Sequence, residues 1–74
     1  MSWNYAKLRG RIKEYGYTQK TLANTININS STLSEKLNNK YEFTVDEINA
    51  ICKCLKIPKV EIGEYFFAQK VQKN

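Results

Sequence analysis

Histidine is absent from the sequence, and proline occurs once, at Pro58. Without histidine the usual zinc constellations cannot be assembled, and the thiols of Cys52 and Cys54 have no general base beside them. Two cysteines two positions apart point in different directions on a helix, so neither a disulfide nor a shared metal site follows from them. They read as ordinary thiols in a reducing compartment, at least one of them facing the core. No apolar run approaches the roughly 20 residues of a membrane span. The opening MSWNYAKLRGR also lacks the apolar stretch of a signal peptide, so a cytoplasmic location is expected. With three glycines as the other breakers, and Leu and Ile recurring at spacings of three and four, helices are favoured over strands throughout.

What is present fits one small domain. A chain of 74 residues buries a modest fraction of its surface and depends on compact helix packing. The net charge of +5 suits a polyanionic partner, although a Lys-rich cytosolic domain reaches that value for solubility alone. Tyr5, Leu8, Ile12 and Tyr15 are spaced for one face of a first helix that Gly16 ends. After a polar loop, NNKYEF, in which Phe43 turns inward, Thr44 and Glu47 form a capping box for a fourth helix. That helix buries Ile48, Ile51, Cys52 and Leu55 and stops before Pro58. A last helix is expected over about 59–67, packed by Val60 or Ile62 with Tyr65 and Phe66, and residues 68–74 read as a frayed basic tail. Phe66 and Phe67 are adjacent, so only one of them faces the core.

The most informative stretch is TQKTLANTININSSTLSEKLNNK, residues 18–40. Thr18 is an N-cap type, and Leu22, Ala23 and Ile26 follow it at one-face helical spacing, giving a helix over about 18–25. Asn27 falls where the chain must turn and tolerates a left-handed backbone. Ile28 plugs the corner, Asn29 caps the next helix, and Leu33 with Leu37 gives that helix, over about 30–38, an apolar side. Its other side carries Ser30, Ser31, Ser34 and Glu35, a polar face free to meet something. Two short helices joined this way are how a small protein sets a helix in the DNA major groove.

These residues resemble the Cro and CI-type helix-turn-helix proteins, the xenobiotic-response-element family. The match is carried by Thr18-Gln19, Ala23, Asn27-Ile28-Asn29, Thr32-Leu33-Ser34 and Leu37-Asn38-Asn39-Lys40. The runs at 8–13 and 62–67 look like small Cro-like regulators from phages of low-GC Gram-positive bacteria. The resemblance implies an all-α, compact five-helix lambda-repressor-like domain spanning the chain. It also implies double-stranded operator DNA as partner and a weak homodimer on a palindrome. Two departures stand out. Asn27 and Asn39 occupy positions where the family commonly has glycine, and Ser30 and Ser31 stand where it often has Gln, Arg or Lys.

On this reading Ser30, Ser31, Ser34 and Glu35 are the base contacts, with Glu35 able to accept from cytosine N4. By resemblance, Gln19 touches phosphate, and Asn38, Asn39 and Lys40 form a phosphate clamp. Arg9, Arg11, Lys20, Asn29 and Lys36 are further phosphate candidates. Plainer roles compete with each: serines cap helices, and cations on helix faces are usually just solvated. Serine also lacks the bidentate match of Arg to guanine, so direct readout is weak. Two functions therefore stand open: a sequence-specific DNA-binding repressor, and an antirepressor or corepressor whose same face grips a CI-type repressor. No catalytic residue, cofactor, metal or small-molecule substrate is expected.

Overall fold

The computed structural model describes residues 2–69. It is all-helical: α1 (Ala6–Glu14), α2 (Gln19–Thr25), α3 (Ser30–Leu37), α4 (Val45–Leu55), a 3₁₀ turn (Lys59–Glu61) and α5 (Ile62–Phe66). The expected last helix is thus split, its first turn tightened to 3₁₀ behind Pro58. No helix among the described residues is long and apolar enough to cross a membrane.

Local chemistry sets the helix starts. Thr18 and Thr21 cap α2 reciprocally, the Thr21 amide donating to Thr18 Oγ1 at 3.1 Å and the Thr18 amide to Thr21 Oγ1 at 2.8 Å. At α4, Glu47 N–H donates to Thr44 Oγ1 at 3.1 Å, and Thr44 N–H donates to Glu47 Oε1 at 2.9 Å. Asn29 stands at the N-cap of α3, but its side chain makes no capping bond and lines an open hollow instead.

The helix ends share one device. In α1, α2 and α3 a left-handed residue is followed by an amide that reaches back five positions: Tyr17 to Ile12 O, Ile28 to Ala23 O and Lys40 to Glu35 O. The left-handed residues are Gly16 (φ 81°), Asn27 (φ 64°) and Asn39 (φ 66°). Helix α4 ends the same way on Lys56 (φ 52°), with Ile57 N–H on Cys52 O at 3.0 Å. A lysine in this conformation was not expected, since its Cβ crowds the following carbonyl.

The core is built from Tyr5, Leu8 and Ile12 of the first segment, Leu22 and Ala23 of α2, Leu33 and Leu37 of α3, Ile48, Ile51 and Leu55 of α4, then Ile57, Tyr65 and Phe66. Phe43 packs edge-on between Tyr5 and Phe66, with ring centroids 5.5 and 5.4 Å away. Ile28 packs half-buried at the corner. Tyr15, expected inward, is exposed, and of the two alternatives for the last helix it is Ile62 that packs on the core while Val60 is exposed. Both cysteines are free and half-buried against the core, and burial pushes the Cys52 thiol above its ordinary value.

The beginning of the expected tail is ordered against the other end of the chain. Asn4 N–H donates to Ala68 O at 2.6 Å, and Trp3 pairs with Gln69 as an isolated antiparallel bridge. Phe67 lies edge-on to Trp3, 5.6 Å between centroids. The rest of the expected tail, residues 70–74, lies outside the described residues.

Candidate partner-binding face

Helix α2 packs directly on α3, and the turn at Asn27 leaves the outer side of both helices open. Ser30 and Ser31 are exposed at the start of α3; Ser34 and Glu35 are half-buried one turn on. Ser34 Oγ accepts from Asn38 Nδ2 at 3.4 Å. Gln19 is half-buried at the start of α2, and Lys20, Asn29 and Lys40 are exposed. These residues lie along the same two-helix unit, as the sequence suggests.

Four of the expected phosphate contacts have work inside the fold. Lys36 is not a solvent-facing cation: it is 8% exposed and pairs with Glu47, tying α3 to the start of α4. Burial pushes the Glu47 carboxyl up, but the Lys36 ammonium and the Thr44 amide outweigh that and hold it below its ordinary value. Arg11 turns toward the end of α4 and Tyr65. Its Nε donates to Leu55 O and its Nη2 to Lys56 O, both at 2.9 Å, so it closes the end of α4. Its guanidinium also stacks 4.5 Å from the Tyr15 ring centroid.

Arg9 closes α3 in the same manner, Nη2 donating to Leu37 O at 3.2 Å and to Asn38 Oδ1 at 3.0 Å. Asn39 does not reach outward as part of a clamp. Its side-chain amide takes both backbone groups of Trp3, accepting from the N–H at 2.8 Å and donating to the carbonyl at 2.9 Å.

Two hollows border the unit, and neither is visible in the sequence. Asn24, Asn27, Ile28, Asn29 and Thr32 line one of about 470 Å³ at the turn. The other, about 290 Å³, lies where the N-terminal segment crosses the end of α3, between Trp3, Asn4, Tyr5, Ala6, Arg9 and residues Leu37 to Asn39. Asn24, Thr32, Trp3 and Ala6 line them and had no place among the expected contacts. An exposed asparagine on α2 was the one available hint, and it is indistinguishable from ordinary surface. No group of metal-binding side chains occurs among the described residues.

The fold and this face define a class: small all-helical domains that expose a two-helix unit, α2 and α3, beside a closed core. Within it, the chain belongs to the family described as a protein of unknown function (DUF739), whose model matches residues 1–69. Its structure is similar to the solution structure of the modulator of repression (MOR) of the temperate bacteriophage TP901-1 from Lactococcus lactis. The two chains are 36% identical, 97% of each is covered, and the TM-score is 0.78. No curated protein matches the sequence.

Proposed function

We propose that this chain is a phage regulatory protein that modulates a repressor by binding it, and that the exposed side of α2 and α3 makes the contact. The observation that carries this reading is the 36% identity to a modulator of repression over 97% of both chains. Fold alone would not carry it, since one fold hosts many functions.

The chemistry of the face agrees with a protein partner. Of the five cations expected on phosphate, Lys36 and Arg11 are committed to the fold, leaving Lys20, Lys40 and Arg9 exposed, the last with one nitrogen already spent on the end of α3. Duplex DNA is bound largely by neutralising phosphates, so this is a sparse set. The two serines and Glu35 instead offer hydroxyls and one carboxylate, suited to an arginine on a repressor's own DNA-reading helix. The role requires no catalysis, metal or cofactor, and its setting is the host cytoplasm.

A second reading, operator binding through α3 as a dimer, is favoured by one feature, the short α2, left-handed turn and α3 arranged side by side. Gel shifts on the upstream intergenic duplex separate the two, run with this protein, with the purified repressor of the same phage, and with both. Release or altered mobility of the repressor–DNA complex, with no shift by this protein alone, is the expected result. A salt-sensitive shift by this protein alone, absent on scrambled duplex, would establish the second reading instead.

A further inference from the structure

The hollow between the N-terminal segment and the end of α3 holds one charged residue, Arg9, among its lining side chains. The guanidinium is fixed on one side only: Nη2 is spent on Leu37 O and Asn38 Oδ1. Nε and Nη1 have no acceptor among the described residues, and no carboxylate lines the hollow. Trp3, Tyr5, Ala6 and Leu37 supply apolar wall beside it.

A cation held this way has already lost much of its rotamer freedom, so a ligand that accepts its remaining donors spends little on ordering it. The planar fork matches a carboxylate with two parallel N–H···O bonds. A DNA strand is a poorer match, because it presents a continuous row of phosphates and is met by cations in a line. Here a single guanidinium borders a hollow of about 290 Å³, room enough for one acidic side chain with space left beside it.

From this geometry we infer that the hollow at Arg9 receives an acidic side chain of the protein partner, extending the contact from the α2–α3 face around the end of α3. The inference rests on the proposed binding of a repressor protein. It adds an anchoring pocket that the exposed face does not include.

The test is the affinity of the full-length chain for the purified repressor of the same phage, by titration calorimetry at two salt concentrations. Arg9→Gln removes the charge, while Ala6→Trp fills the hollow from an exposed position whose side chain makes no hydrogen bond. Each is expected to weaken binding about tenfold, the loss of one charge-assisted contact. Ala6→Trp should leave the thermal midpoint unchanged, so it decides the matter even where Arg9→Gln loosens α3. Wild-type affinity in both variants would overturn the pocket and leave the protein-partner reading standing. Failure of the wild type to bind the repressor would overturn both. DNA binding by the wild type that Arg9→Gln weakens would reassign Arg9 to phosphate.

Discussion

The ammonium of Lys36 and the carboxylate of Glu47 meet between α3 and α4 with only 10% and 14% of their side chains exposed. Glu47 also closes the capping box of α4, so one carboxylate fixes the start of one helix and the tail of another. A charge left alone in such a place costs more than the pair contributes. Lys36→Met is therefore expected to destabilise the chain by about 2 to 3 kcal/mol, and Lys36→Met with Glu47→Gln to recover most of that. Urea unfolding of the two single variants and the double variant closes the cycle; additive losses would show that the residues act separately.

The same pair sets a pH response. The Glu47 carboxyl lies below its ordinary value when folded, so its contribution is complete above the unfolded value of about 4.3 and disappears as pH falls through the lower folded one. Stability should thus drop on acidification below about pH 4.3, and less steeply in Glu47→Gln. Thermal midpoints measured from pH 6 down to 3 give both slopes, and parallel curves would count against the assignment.

Lys56 holds a left-handed backbone that glycine adopts freely. Its own contribution to the fold is a backbone carbonyl, accepting from Arg11, which glycine retains. Lys56→Gly is expected to stabilise the chain by about 0.5 to 1 kcal/mol, the left-handed cost less the extra freedom of the unfolded glycine. In a domain of this size that raises the melting point by a few degrees, which calorimetry resolves.

Arg11 is tied into the fold by its guanidinium at the end of α4. Arg11→Lys loses the fork that reaches Leu55 O and Lys56 O together, for about 1 to 2 kcal/mol of stability. Because the side chain faces α4 and α5, affinity for either partner should be unchanged at a temperature where the variant is folded. A salt-dependent loss of DNA binding would restore the phosphate role.

Glu35 distinguishes the two functional readings by sign. Glu35→Lys should weaken a repressor held through an arginine, and should strengthen any binding of duplex DNA by adding a cation beside it. Paired measurements on repressor and duplex report the direction of each.

The features legible in the sequence are those whose partners lie close along the chain. Thr18 caps within three residues, Thr44 and Glu47 answer each other at the same spacing, and Gly16, Asn27 and Asn39 sit where their backbone preferences end helices. The face of α3 was equally legible, because Leu33 and Leu37 consume the opposite side. What escaped detection depends on distant partners. Arg9, Arg11 and Lys36 find theirs 28, 44 and 11 residues away, and on a helical wheel all three read as solvent-facing cations. Lys56 escaped for another reason: its conformation is imposed by the closing turn of α4 against Arg11 and Pro58, against its own preference.

The amide of Asn39 pairs with both backbone groups of Trp3 as a neighbouring strand would, while its own backbone ends α3. Position 39 therefore answers two demands that favour different residues. Glycine would relax the turn and release the N-terminal segment; only a side chain with the reach and the donor–acceptor pair of asparagine meets both. The dependence runs the other way at position 3, where almost any side chain leaves the pairing intact but proline removes its donor. Relatives with glycine at position 39 should accordingly tolerate proline at position 3, and relatives with asparagine there should not.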